Sequence, residues 1–247
     1  MKFGCRYIRC ILNRLSALFV IALLATPILP VQTQPHSDAS ELSEILQRMS
    51  AHEEWQKRHL VEYHVARKFF ASNPRFNKEA VLEVKTVFRR PSTFDSEIIR
   101  SEGSSMIRER VFDKILEAER EANTDKAKLE VSITPKNYNF TWLGKKDCGG
   151  RPCYNLRITP KQKSKYSVDG EIWVDAEDAS LVRIQGSPAK RPSLWTLSTQ
   201  IERRYKRIGG VWLCDSMEST SNILIGGLST LRIDYNYLKV ETEAEIE

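Results

Sequence analysis

The side chains best suited to catalysis or metal binding are few and scattered along this chain. All four histidines lie in the N-terminal quarter of the sequence: His36, His52, His59 and His64. None stands at a metal-ligand spacing from a cysteine or another histidine, and there is neither a glycine-rich phosphate loop nor a G-x-S-x-G elbow. Asp175, Glu177 and Asp178 lie close together, but turn formation explains such acidic residues better than calcium binding. We therefore predict no catalytic residue, no metal site and no cofactor.

Cysteines are the other reactive side chains. After the first thirty residues the chain has Cys148, Cys153 and Cys214. If Gly149–Pro152 form a loop, Cys148 and Cys153 face each other across a hairpin, where Cα atoms lie roughly 4.4–6.8 Å apart. Their spacing is wider than that of a redox or zinc motif. We predict a structural disulfide between Cys148 and Cys153. Cys214 is then a buried free thiol, unless it pairs with Cys153 instead.

The first thirty residues are typical of a secretory signal peptide. Basic residues between Lys2 and Arg14 precede an apolar run from Leu15 to Pro30. As a helix this run would span roughly 22 Å, short of the ~30 Å hydrocarbon core of a bilayer. We predict a cleaved signal peptide over residues 1–30, a linker over 31–39, and a mature protein outside the cytoplasm. An uncleaved membrane anchor is the alternative.

The charge balance argues against a nucleic-acid partner. The chain has 38 Lys and Arg against 32 Asp and Glu, but the first basic residues belong to the N-terminal segment, where no acidic residue precedes Asp38. The remainder is close to neutral, whereas a nucleic-acid-binding domain needs a basic stripe. The hydrophobic content of 41% and charged content of 28% are those of an ordinary globular domain.

Two segments have helical periodicity. The first begins at Asp38 and ends near His52 or Trp55. Its apolar stripe consists of Leu42, Ile45, Leu46 and Met49. The second runs from Ser104 to about Asn123. Its apolar stripe, which we assign to a lid, consists of Val111, Phe112, Ile115 and Leu116.

Elsewhere the hydrophobic period is two, which indicates strands. We predict strands at Glu171–Asp175 and Leu181–Gln185, joined by a turn at Ala176–Ser180 and followed by a break at Gly186–Pro188. Further on, one strand face is predicted to carry Trp195, Leu197, Ile201 and Tyr205. About ten strands with only two helices predict an α+β fold. It is a strongly curved antiparallel sheet, an unclosed half-barrel, with both helices over or in its concave face.

Apolar residues on the predicted strand faces could line a cavity for an acyl chain, although ordinary core packing is the favoured explanation for any single aromatic among them. The candidates are Val65, Val84, Phe88, Phe140, Trp142, Leu156, Trp195, Leu197, Ile201, Ile233 and Tyr235.

Three phrases carry a resemblance to a known family. They are GGRPCYNLRITPK (Gly149–Lys161), GEIWVDAEDASLVRIQGSPAK (Gly170–Lys190) and GGVWLCDSMEST (Gly209–Thr220). With the order of elements from about Ser40 to Val240, they resemble the LolA/LolB-like superfamily of periplasmic outer-membrane lipoprotein-sorting proteins, whose fold RseB shares. The resemblance implies an unclosed barrel with a helical lid and an apolar interior that accepts lipoprotein acyl chains.

The function expected from this resemblance is that of a periplasmic carrier, not an enzyme, which holds acyl chains in an apolar cavity. Its partners are then a lipid or an acylated lipoprotein, with an inner- or outer-membrane protein as a further partner, and we expect a monomer. An envelope-stress sensor or protein-interaction module of the same fold is the alternative, and a hydrolase is the third. The half-barrel domain is predicted over residues 40–240, with an acidic tail at 241–247.

Overall fold

The computed structural model describes residues 38–91, 93–122, 132–164 and 166–243. The chain divides into two compact units, Met1–Pro35 and His36–Glu247, and all described residues belong to the second. The predicted signal peptide, the linker up to residue 37 and the last residues of the acidic tail lie outside the described residues.

Helix α1 (Asp38–His59) begins where the sequence predicts and continues beyond the predicted end. Its extra turn is stabilised by contacts at its C-terminus, where the rings of Trp55 and His59 stack 4.3 Å apart. Lys57, Arg58 and His59 lie in this last turn, where positive charge complements the helix dipole. A second helical segment, residues 105–122, consists of α2 (Ser105–Ile107), a π-helical stretch and α3 (Asp113–Ala122).

In the described part of the chain, ten strands form one antiparallel sheet. The strands are β1 (Leu60–Asn73), β2 (Lys78–Arg89), β3 (Thr93–Gly103), β4 (Tyr138–Asp147), β5 (Pro152–Pro160), β6 (Val168–Asp175), β7 (Leu181–Pro188), β8 (Thr196–Ile208), β9 (Val211–Ile223) and β10 (Gly227–Thr242). The order across the sheet is β3-β2-β1-β10-β9-β8-β7-β6-β5-β4. The first and last strands therefore pair with each other, and β3 and β4 are the two edges of a sheet that does not close. The predicted fold class is confirmed.

Both helices cover the same face of the sheet. A row of paired residues crosses this face from β2 to β4: Leu82, Phe69, Ile233, Met217, Arg203, Ile184, Ile172, Leu156 and Trp142. The residues at the β2 end belong to an apolar cluster with segment 105–122. The residues at the β4 end belong to a second cluster with α1. Arg203 lies between the two clusters.

Two local predictions about strands are wrong. Gly186–Pro188 is not a break, because β7 continues to Pro188 and pairs with β6 throughout. Trp195 and Leu197 do not share a face with Ile201 and Tyr205. The cause is a bulge, since Thr196 pairs with Ile223 and Ser198 with the next residue, Asn222. The extra residue, Leu197, interrupts the alternation of side chains and is 45% exposed. Trp195 lies in the turn before β8, which begins at Thr196, and is 60% exposed.

The predicted break contains a glycine that the sheet requires. Gly186 pairs with Gly170 in the neighbouring strand. A Cβ atom on Gly186 would lie 2.4 Å from the carbonyl oxygen of Asp169 and 2.8 Å from Cα of Gly170. Backbone atoms cannot move aside as a flexible side chain can, so only glycine fits at this crossing of β6 and β7.

We expect Gly186→Ala to lower the free energy of unfolding by about 1–3 kcal/mol, the usual cost of forcing extra atoms into a packed site. Urea denaturation would measure this loss. Gly226→Ala is a matched control, because its Cβ would lie 3.3 Å from Cβ of Ile223, a contact that a small shift relieves. Equal losses in the two variants would contradict the steric explanation.

Glu62 of β1 lies close to three basic side chains. Its carboxylate accepts from Nε of Arg89 at 3.1 Å and lies 2.5 Å from Nε2 of His64 and 3.5 Å from Nζ of Lys239. The hydrogen bonds from Arg89 and His64 lower the pKa of Glu62 from 4.5 to about 2. A depressed carboxylate pKa contributes stability above the unfolded pKa, and this contribution is lost as the pH falls through the folded value.

Glu62→Gln should therefore lower stability at neutral pH, and the difference from the wild type should shrink as the pH falls from about 4.5 to about 2. Thermal unfolding across this pH window would measure it. Glu79→Gln, at an exposed position of β2, is the control substitution and should change stability little. A wild-type advantage over Glu62→Gln that stays constant down to the bottom of this window would contradict the assignment.

Candidate functional site

A cavity of about 300 Å³ lies between α1 and the sheet. Its walls come from α1, from the turn between β6 and β7, and from β7, β8 and β9. The lining residues are Leu46, Met49, Ser50, His52, Glu53, Gln56, Ile133, Pro135, Ala179, Ser180, Leu181, Ile184, Arg203, Tyr205 and Trp212. Its volume is at the lower end of the ~300–1,000 Å³ typical of ligand sites, so it suits one narrow chain.

The apolar part of the lining arises from the periodicities of helix and strand. Leu46 and Met49 extend the stripe of α1 whose centre, Ile45, is 2% exposed. Leu181 and Ile184 project from β7 towards that stripe. The helix and the sheet thus supply opposite walls, and the cavity is the space that their side chains leave unfilled.

Most polar groups around the cavity are hydrogen-bonded to the protein. Nε2 of His52 lies 2.9 Å from Oγ of Ser180. The side chain of Gln56 accepts from the backbone N–H of Trp212 at 2.9 Å and donates to its carbonyl at 3.0 Å. The indole N–H of Trp212 donates to Asp178 at 2.8 Å. These contacts hold α1 at a fixed place over β7 and β9.

Asp178 supports this wall from outside the cavity. Burial alone would raise its pKa, but hydrogen bonds from Ser180 and Trp212 outweigh burial and hold the pKa of Asp178 below its usual value. The carboxylate therefore stays ionised and keeps accepting from the indole. Arg48, one turn before His52 on α1, donates to the carbonyls of Ala176 and Glu177 at 3.0 and 2.8 Å.

Arg203 is the charged group of the β8 wall. It projects from β8 between Ile184 and Met217 of the neighbouring strands. Nη2 lies 3.8 Å from Sδ of Met217, and the guanidinium is hydrogen-bonded to Tyr205. Tyr205 is the main reason why the pKa of Arg203 lies above its ordinary value, against the opposing effect of burial. The wall therefore carries a permanent positive charge.

Arg67, the other arginine on this face, is neutralised by the protein. Its side chain is 3% exposed, and Nη1 donates to both carboxylate oxygens of Glu119 on α3 at 2.8 Å. The pKa of Arg67 is raised because Glu119 outweighs the effect of burial. Burial raises the pKa of Tyr235, which lies between Arg67 and the thiol of Cys214.

A second depression, on the opposite face, has a different character. It lies over Gly170 and Gly186 and has a volume of about 490 Å³. Arg157, Asp169 and Glu171 line it, and Arg157 is ion-paired with Asp169. Its walls offer charged and polar groups but little apolar surface, so we do not assign the binding of an apolar chain to it.

None of the apolar residues proposed from the sequence as cavity lining is among the residues that line the cavity under α1. Val84, Ile233 and Tyr235 pack under segment 105–122. Phe140, Trp142 and Leu156 pack under α1, away from the cavity. Phe88 belongs to a small cluster at the end of α1, Val65 is buried, and Ile201 is half-buried. Trp195 and Leu197 are exposed to solvent.

The stripe assigned to a lid fills its part of the concave face. Phe112 and Leu116 are 1% and 6% exposed, and Val111 and Ile115 pack against the same cluster. The ring of Phe112 meets that of Phe69 edge-on, with 5.9 Å between centroids. The space over β1, β2 and β10 is therefore occupied by side chains, whereas a cavity remains under α1.

Sequence inspection missed Arg203. The residue lies two positions after Ile201 and two before Tyr205, so a period of two already puts it on their face. An arginine on an otherwise apolar strand face was the sequence signal that could have identified it. The turn residues Ala179 and Ser180 carried no such signal, because only the packing of α1 brings them to the cavity.

The three cysteines outside the signal region are free in the structure. Cys153 pairs across the hairpin with Lys146, two residues before Cys148, so the two cysteines do not face each other as predicted. The two side chains nevertheless touch through a hydrogen bond, and burial is the main reason why the pKa of the Cys153 thiol is raised. Cys214 lies on β9, separated from β5 by three strands. At ~4.8 Å per strand, it cannot pair with Cys153.

Since the thiols of Cys148 and Cys153 touch, we expect mild oxidation of the folded protein to join them. Peptide mapping by mass spectrometry before and after oxidation would identify the bridge. Cys214→Ser should behave as the wild type, and Cys148→Ser should form no intramolecular bridge. A bridge that includes Cys214, or two thiols that stay open to alkylation after oxidation, would contradict the prediction.

Among the described residues, no group of three or more His, Cys, Asp or Glu side chains could hold a metal ion. Within the same part of the chain, no helix has the length and apolar character needed to cross a membrane.

Comparisons with known proteins were made for sequence and for structure. A family model described as an uncharacterized protein matches residues 125–245. No curated protein matches the sequence. Among solved structures, the chain is similar to a domain described as that of an outer membrane lipoprotein-sorting protein from Vibrio parahaemolyticus. Their identity is 14% and the TM-score is 0.43, and the match covers 83% of this chain and 93% of that chain.

Two other solved structures are similar over a comparable length. A DUF1329 family protein from Desulfovibrio piger has 13% identity and a TM-score of 0.41, with 83% of this chain and 94% of that chain covered. A LolA superfamily protein from Nitrosomonas europaea has 9% identity and a TM-score of 0.37, with 82% and 93% covered.

Proposed function

We propose that this protein is a periplasmic, non-catalytic carrier that holds the acyl chain of a lipid or lipoprotein between α1 and the sheet. The observation that carries the proposal is the cavity of about 300 Å³ under α1, with apolar side chains on both of its opposite walls. A chain that enters it would exchange water for Leu46, Met49, Leu181 and Ile184. Removal of apolar surface from water contributes ~25 cal/mol per Å².

The way α1 is attached supports a binding role for this space. Arg48, His52 and Gln56 recur one helical turn apart and form hydrogen bonds to the β6–β7 turn and to β9. Leu46 and Met49, on the adjacent stripe, face the cavity. The polar stripe holds the helix at a set distance from the sheet, so the apolar stripe does not have to fill the space beneath it.

Native mass spectrometry of the protein purified from its own envelope fraction tests the proposal directly. A carrier should show a bound lipid or acylated protein that is lost on extraction with organic solvent. A protein that carries nothing and also fails to bind a monoacyl probe such as decanol would overturn the proposal. A co-purified protein without any lipid would instead favour an interaction module of the same fold.

Filling the cavity should block binding. Met49 lines the cavity and is half-buried on α1, so Met49→Trp should occupy the space and weaken the binding of decanol at least about tenfold, a loss of ~1.4 kcal/mol. Isothermal titration calorimetry would measure it. Gln47→Trp makes the same addition at an exposed position of the same helix and should leave binding unchanged. Equal effects of the two variants would place the site elsewhere.

A further inference from the structure

Arg203 places a positive charge in the wall of the cavity, where a purely apolar ligand could form no favourable interaction with it. It shares the wall of the cavity with Ile184 and Tyr205 and lies in the row of otherwise apolar residues across the concave face, between Ile184 and Met217. Its neighbours along the strand on this face are Ile201 and Tyr205. Arg203 is half-buried, so its guanidinium has lost part of its hydration, and this loss is unfavourable unless an opposite charge replaces the water.

No carboxylate of the described residues pairs with Arg203. Its polar neighbours are the hydroxyls of Tyr205 and Tyr235, the thiol of Cys214 and the thioether of Met217. Glu53 also lines the cavity, but its carboxylate is ion-paired with Lys57 at 3.0 Å.

Three other arginines of the sheet are neutralised by ion pairs with carboxylates. Arg204, the next residue, projects to the opposite face and pairs with Glu202 at 2.6 Å. Arg183 pairs with the same carboxylate at 2.9 Å. On the concave face itself, Arg67 has Glu119. Arg203 differs from all three because its contacts within the described chain are uncharged, and this leaves its charge available to a ligand in the cavity.

We infer that the cavity selects amphiphiles with one anionic headgroup, a carboxylate or a phosphate, and that Arg203 binds this headgroup while the apolar walls hold the chain. The inference rests on the proposed carrier function and names its class of cargo. Arginine suits the task because its planar fork can donate two parallel hydrogen bonds to either anion. Tyr205, hydrogen-bonded to Arg203, would keep the fork in place.

The experiment compares probes that share a ten-carbon chain and differ in the headgroup: decanoate, decyl phosphate, decanol and decyltrimethylammonium. Isothermal titration calorimetry of the full chain measures the affinity for each probe below its micellar concentration. The wild type should bind the two anions at least about tenfold more tightly than decanol, as a charge-assisted hydrogen bond predicts, and the cation most weakly. Comparison of decanoate with decyl phosphate shows which anion the site prefers.

Arg203→Met should remove the preference for anions and leave decanol binding within about threefold of the wild type, because the methionine keeps the apolar wall. Arg204→Met is the matched control: it is the same substitution one residue later, on the opposite face, and it should keep the preference. If Arg203→Met fails to fold, Arg203→Lys serves instead. It should retain the sign of the preference and reduce its size, since lysine offers charge without the fork.

The outcomes separate this inference from the proposed function. A wild type that binds decanol and decanoate equally well would overturn the anionic class and leave the carrier function standing. A preference that survives in Arg203→Met would show that another group binds the headgroup, which also overturns the inference. A folded wild type that binds none of the four probes would overturn the carrier function itself.

Discussion

The pairing of the first strand with the last is the constraint on which the rest of this structure depends. β1 and β10 pair from Leu60 and Thr242 to Ser72 and Thr230, with two register shifts near the start of β1. Because all other neighbours in the sheet follow chain order, this one pairing places the two free edges at β3 and β4. The connection between those edges contains segment 105–122, which packs on the concave face over β1 and β2.

The two helices then divide the concave face between them, with different results. Phe112 and Leu116 of segment 105–122 pack against the sheet and fill the half of the concave face that this segment covers. Helix α1 is attached by hydrogen bonds along one side, and its apolar stripe covers the other half without filling it. An unclosed sheet of this kind can therefore contain a conventional core and an unfilled cavity side by side.

Charge on this face follows the same division. Under the filled half, Arg67 is neutralised by Glu119 of the helix that covers it. At the cavity, Arg203 is surrounded by hydroxyls, a thiol and a thioether instead. The guanidinium of Arg67 is already paired with a carboxylate, whereas the half-buried guanidinium of Arg203 beside an open space can still be paired by a ligand. This contrast is the reason to treat the cavity as a site and not as a packing defect.

Much of this architecture could be predicted from local pattern. The stripe from Leu42 to Met49 specifies α1, the change to a period of two specifies β1 from Leu60, and the stripe from Val111 to Leu116 specifies a helix packed on the sheet. These patterns can be recognised in the sequence because they depend on local spacing. Burial of one face constrains residues three or four positions apart in a helix and two positions apart in a strand. The fold class and the approximate number of strands followed from them.

The location of the site depended on tertiary structure. The bulge at Leu197, the crossing at Gly186 and the hydrogen bonds of Gln56 to Trp212 all arise between segments that are separate in sequence. Periodicity assigns a residue to a face but does not tell which helix will cover that face, or how closely. The sequence by itself determined that an apolar concave surface exists. Only the folded chain decided which half is filled, which is open, and that Arg203 faces the opening.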